Sequence, residues 1–265
     1  MIVFAAITPH PPILIPSIGR DNVKFLAKTA NAYGQLAEDI YASSPDTIVV
    51  ISPHGTMLQN SFIINVVPAF SIDFEEFGDL LTKFTISGDI GFSHHLKEGL
   101  ETKIPVALTS HERLDHGIGV PLYFLTENLD RKKTKLIPIS FSLLDLETHF
   151  SFGRKLQGEL LNDTRRVAVI ASGDLSHRLT KNSPAGFNPK AKDFDAQLTS
   201  FIFEGKTEKI LKMDRGLIEA AGECGLRSIV ILLGILNSMR VRAQVLSYEA
   251  PFGVGYLTVN YAINN

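Results

Sequence analysis

Four residues able to bind a metal ion or move a proton stand at the ends of apolar runs: His10, His54, His177 and Glu249. His10 lies in Thr8-Pro9-His10-Pro11-Pro12, directly after Ile2 to Ile7, and the prolines forbid a helix through it. His54 lies in Ser52-Pro53-His54-Gly55, after Thr47 to Ile51. His177 lies in Ser172-Gly173-Asp174-Leu175-Ser176-His177-Arg178, after Val167 to Ala171. Glu249 follows Arg242 to Tyr248 and leads into Ala250-Pro251-Phe252-Gly253-Val254-Gly255. Two histidines and one carboxylate are a donor set that leaves three positions open on Fe(II), and the same set can hold zinc with an activated water. A histidine left uncoordinated at such a place is a general acid or base near neutral pH.

Bringing distant residues together needs a scaffold. Short, continuous runs rich in Ile and Val read as strands buried on both faces, the pattern of parallel sheets covered by helices. Residues just beyond the carboxyl ends of such strands share one rim. The expected fold is therefore α/β, a mixed, largely parallel central sheet flanked by helices on both faces, in a single domain over residues 1–265. Further strands are expected at 61–67, 82–87, 136–140 and 256–262. Helices are expected from a cap at Asp21 to about Ser43, at 91–101, from Pro121 to about Leu129, at 145–161, and at 191–203, 206–213 and 216–222. The span 68–81 reads as an acidic, aromatic excursion, and 181–190 as a loop able to act as a lid. Ser228 to Leu236 is apolar nearly all round, which suits a buried helix or a subunit interface.

The other histidines divide by context. His94 and His95, adjacent on a helix, point about 100° apart and read as structural or solvent-facing. His111 in its polar loop reads the same way, and His149 beside Leu146 and Phe150 reads as packing. His116, in Asp115-His116-Gly117-Ile118-Gly119, sits just before a helix start, where the positive end of the dipole disfavours protonation. Cys224 reads as a small residue near a helix start. As the one cysteine in the sequence it forms no intrachain disulfide, which points to a reducing, cytoplasmic setting.

A net charge of −2 gives no electrostatic case for nucleic acid or an anionic membrane surface. No apolar run reaches the roughly 18 residues of a membrane helix. The opening Met1 to Ile7 lacks a basic n-region and reads as the first strand rather than a signal peptide.

Pro9-His10-Pro11-Pro12, Ser52-Pro53-His54-Gly55, Asp115-His116-Gly117, Gly173 to Arg178 and Glu249 to Gly255, taken in order, resemble the class III (LigB-type) extradiol ring-cleavage dioxygenases. The resemblance runs from residue 9 to about 256. It implies His10, His54 and Glu249 as metal ligands, His177 as the acid/base residue, and His116 as a second histidine near substrate or dioxygen. It implies Fe(II), with zinc as the alternative, and a small catechol- or aminophenol-like aromatic substrate consumed with O2. It also implies a homo-oligomer and leaves room for a small partner subunit. The same superfamily contains Memo-like proteins with a thiolate among the ligands, against which Glu249 favours the iron type. The rival expectations are a zinc hydrolase or lyase on the same site, and a metal-binding protein without turnover.

Overall fold

The computed structural model describes residues 1–263, and its centre is an eight-stranded sheet in the order β6-β3-β7-β2-β8-β1-β10-β9. The strands are β1 (Ile2–Thr8), β2 (Thr47–Ser52), β3 (Phe62–Asn65), β6 (Val106–Thr109), β7 (Lys135–Ser140), β8 (Val167–Ser172), β9 (Val241–Glu249) and β10 (Tyr256–Ile263). The four central strands β7, β2, β8 and β1 run parallel. Both flanks reverse: β3 meets β7 antiparallel, and β10 meets β1 and β9 antiparallel. The expected mixed, largely parallel sheet is what the chain forms.

Side chains of the central strands alternate between two cores, because successive residues point to opposite faces. Ala5, Ile7, Val49, Ile51, Val169 and Ala171 face one side. There they meet α3 (Ile90–Glu101), α5 (Leu146–Leu161), α6 (Ala191–Phe203) and α9 (Leu226–Ile235). Phe4, Ala6, Ile48, Val50, Ala168 and Ile170 face the other side, against α2 (Ala27–Ser43) and α4 (His116–Leu125). The remaining helices are short: α1 (Pro16–Gly19), α7 (Thr207–Leu211) and α8 (Arg215–Ala221). No helix among the described residues is long and apolar enough to cross a membrane.

Two local expectations are corrected, and for the run at 228–236 the buried-helix alternative is the one that forms. Asp21 does not cap α2: a 3-10 stretch, Arg20–Leu26, leads into a helix that starts at Ala27 without a side-chain cap. The span 68–81 is not an irregular excursion. Its buried Phe70, Ile72 and Phe74 alternate, and β4 (Ala69–Phe74) pairs antiparallel with β5 (Asp79–Ser87) as a separate hairpin. The apolar run at 228–236 is core rather than interface, since Ser228 to Leu236 is buried within the chain, partly against α5.

Candidate metal centre

The carboxyl ends of β1, β2 and β8 lie side by side in the sheet, so His10, His54 and the loop containing His177 emerge on one rim. The Nε2 atoms of His10 and His54 are 3.0 Å apart. His116 joins them, and one ring nitrogen from each of the three lies within 4.8 Å of the others. Its ring stacks on His54 with centroids 4.4 Å apart and meets His10 edge-on at 5.3 Å.

Each histidine is held from its own side. The Tyr33 hydroxyl, on α2, donates to the Pro9 carbonyl, and the His10 backbone N–H donates to Asp174 Oδ1 at 2.9 Å. Ser52 Oγ accepts from the His54 backbone N–H at 3.2 Å and donates to Asp115 Oδ1 at 2.7 Å. Asp115 also caps α4 through the Ile118 N–H. That one carboxylate therefore joins the end of β2 to the helix that begins with His116. Gly117 is required here, because a Cβ would sit 2.5 Å from Ser52 Oγ and 3.2 Å from His54 Cδ2. The hairpin tip closes the outer side: the Phe77 ring meets His116 edge-on at 5.2 Å, and Glu76 Oε1 lies 3.8 Å from His116 Nδ1. His116 is thus the first residue of its helix rather than a residue ahead of it.

Burial disfavours charge on all of these rings. The pKa of His10 is driven well below the ordinary imidazole value, first by desolvation and then by His54, His116 and His177. Those of His54 and His116 are lowered chiefly by burial, against an opposing pull from Asp115. The rings are neutral at pH 7 and keep lone pairs for a cation. His177 is close enough for its charge to register at His10 and His54. Its pKa too is lowered by burial.

Two acidic groups complete the centre. Asp174 is buried, its carboxyl is pushed up to about 7 by desolvation, and its Oδ2 lies 3.9 Å from His10 Nε2. The thiol of Cys224 lies 3.6 Å from His10 Nε2, and burial, reinforced by Asp174, raises its pKa well above the ordinary value. A carboxyl and a thiol, both shifted toward their neutral forms by burial, stand beside three imidazoles whose charging is likewise disfavoured, a cluster of donors suited to a cation. The donor set fits a metal ion. A cavity of about 530 Å³ opens beside it, with His54, Asp115 and Ser140 among its lining residues and Arg113 and His111 also in its wall.

Glu249 is not part of this group. It ends β9 on the same rim, but β9 is an edge strand separated from β1 by β10, which puts it two ladder spacings, roughly 10 Å, from the strand that carries His10. Its Oε1 accepts from the Thr29 N–H at 2.7 Å and the Thr29 hydroxyl at 2.6 Å in the first turn of α2. Cys224, read from sequence as a small structural residue, lies with its Sγ 3.6 Å from His10 Nε2. Glycines at 222 and 225 bracket it between two helices, and that spacing was the available signal. His94, His95 and His111 are exposed and outside the group, while His149 is buried between the Asp145 and Ser142 carbonyls.

The family model for the catalytic LigB subunit of aromatic ring-opening dioxygenase matches residues 4–259. A protein of Clostridium acetobutylicum is 33% identical over 258 residues, covering 94% of this chain but only 55% of the relative, so the chain spans about half that protein's length. A MEMO1 family protein of Methanococcus maripaludis is 26% identical, with 84% of this chain and 72% of that one covered. The 3,4-dihydroxyphenylacetate 2,3-dioxygenase of Escherichia coli is 24% identical, with 94% of each chain covered. Among solved structures, an uncharacterized protein of Escherichia coli K12 superposes with a TM-score of 0.70 at 18% identity, over 97% of this chain and 99% of that one, which shows a shared fold.

Proposed function

The chain belongs to the LigB family, and from that premise we propose that it is a metal-dependent oxidoreductase acting with O2 on a small catechol- or aminophenol-like aromatic. In this reading His10 and His54 hold the ion and Cys224 supplies the third donor, in place of the expected Glu249. The observation that carries the reading is the approach of His10 Nε2 to His54 Nε2 at 3.0 Å and to Cys224 Sγ at 3.6 Å. A bound Fe(II) supplies Lewis acidity toward two substrate oxygens and an electron path to dioxygen.

The chain's own residues do the rest. The cavity beside His54 admits the substrate. His177, neutral because it is buried, accepts a proton from a substrate hydroxyl and returns it later as an acid, which contributes on the order of 10²–10⁴-fold. His116, packed edge-on against Phe77 and stacked on His54, would stand beside the substrate as an uncharged hydrogen-bonding ring. Asp174, whose Oδ2 lies 3.9 Å from His10 Nε2, would supply compensating negative charge beside a bound ion.

A second reading, a MEMO1-like metal-binding protein without ring-opening turnover, is favoured by the thiol itself. Thiolate with imidazole also suits zinc and copper(I). Anaerobic loading with Fe(II), Zn(II) and Cu(I), followed by oxygen uptake on a panel of catechols and aminophenols, separates the two. Iron-dependent uptake with ring-opened product supports the first reading, and tight metal binding with no uptake on any substrate supports the second.

A further inference from the structure

Ser172, the last residue of β8, is fully buried between two of the histidine loops. Its Oγ lies 2.8 Å from His10 Nδ1 and also bonds the Gly117 carbonyl, next in sequence to His116. A carbonyl oxygen accepts and never donates, so the single hydroxyl proton of Ser172 goes to Gly117. Ser172 is left with lone pairs to offer His10, and His10 Nδ1 then has to be the donor. A neutral imidazole has one N–H, so the Nε2 of His10 is bare, and Nε2 is the atom that faces His54 Nε2 and Cys224 Sγ. Two Nε2 atoms 3.0 Å apart either face one ion or share a proton, and with His10 Nε2 bare the proton in the metal-free protein is carried by His54 Nε2, which donates it to His10.

We propose that Ser172 is a positioning residue that fixes His10 as the Nδ1–H tautomer, aiming the Nε2 lone pair into the centre, and that ties this ring to the loop of His116. The chain Nδ1–H to Oγ–H to carbonyl has one direction and ends on an atom that takes no proton. It therefore holds the ring in place and does not relay protons. The inference rests on the metal-centre reading for its effect on affinity, whereas the tautomer assignment stands on the hydrogen bonds alone.

The test uses the metal-free, 15N-labelled whole chain at pH 7, with long-range 1H–15N correlations of the imidazole rings assigned through His10→Ala. His10 is expected to show a protonated-type Nδ1 and a bare-type Nε2, and His54 the reverse. Ser172→Ala is expected to release His10 into mixed tautomers and to weaken Zn(II) binding, read by chelator competition, by about 10–100-fold. A bare Nδ1 on His10 in the unmodified protein overturns the proposal, as does Zn(II) binding by Ser172→Ala within about two-fold of the parent. If Ser172→Ala does not fold, the parent spectrum decides. If the parent shows the expected tautomers yet binds no metal, the metal-centre reading has failed and the role of Ser172 in setting the ring has not.

Discussion

Replacing Gly173 with alanine is a severe test of how the thiol reaches the centre. Gly173 follows β8, and its Cα is pressed against Gly225, the residue after Cys224. An added Cβ would sit 2.1 Å from Gly225 Cα and 3.1 Å from its N, where ordinary contact begins at 3.4 Å. The two backbones therefore have to part by about 1.3 Å, since both Gly225 atoms are main-chain and cannot rotate away. That movement pulls on two bonds to the Asp174 carbonyl, from Cys224 N–H at 3.3 Å and Gly225 N–H at 3.0 Å. Two backbone bonds at about 1 kcal/mol each, with the strain of overpacking, place the loss of stability at roughly 2–4 kcal/mol. The same shift carries Cys224 Sγ away from its 3.6 Å approach to His10. Urea unfolding of the metal-free protein reads the first effect, and the thiolate charge-transfer absorption of the Co(II)-loaded protein reads the second. A midpoint shift worth less than about 0.5 kcal/mol together with an unchanged charge-transfer band would refute the claim that glycine-on-glycine contact places the thiol.

Cys224→Ser is expected to fold normally but to lose at least about ten-fold in Zn(II) affinity, measured by chelator competition, because a hydroxyl is a far poorer ligand than a thiolate. His177→Ala is expected to keep its iron content while oxygen uptake on any active catechol falls about 10²–10⁴-fold, with metal analysis and an oxygen electrode separating binding from turnover. Asp195 sets a pH dependence of stability: burial raises its carboxyl to about 6, although Tyr248 Oη and the Ser176 N–H both donate to it. The folded chain holds this proton more tightly than the unfolded chain. Its contribution is therefore complete below about pH 4 and is lost, by on the order of 2–3 kcal/mol, as pH rises past 6. Asp195→Asn should flatten the urea midpoint across that window, and an unchanged slope counts against the assignment.

The fold was legible because its signals are local and repeated. β1, β2 and β8 are continuous apolar runs, and the helix expected from Asp145 forms with Asp145 as its cap, whereas the helix expected from Pro121 begins five residues earlier, at His116, capped by Asp115. His10 and His54 could be placed for the same reason, each one loop beyond a central strand. Glu249 was misjudged because the sequence shows that a strand ends there but not how far that strand lies from β1. Sheet order is a property of long-range pairing, and β10 enters between them. Its carboxylate also found two donors on Thr29, a local competitor that no spacing in the chain announces. Cys224 was passed over for the opposite reason. A single thiol is ordinarily inert packing, and only the Gly173–Gly225 contact, between segments some fifty residues apart, brings it to His10. The hairpin β4–β5 was hidden by its acidic turn, whose Phe77 and Glu76 lie against His116.

In the proposed ligand set the three donors come from loops far apart in the chain, His10 and His54 being 44 positions apart and His10 and Cys224 214. No short stretch of this polypeptide can grip an ion by itself, unlike a zinc finger, whose ligands lie close together and whose folding the ion drives. The central strands have to find their parallel neighbours first, which is the slow, non-local part of folding. On that reading an ion would be the last component to arrive, entering a finished pocket. Metal removal should therefore be reversible without unfolding, and the identity of the ion will follow the supply at the time of loading rather than any selection during synthesis.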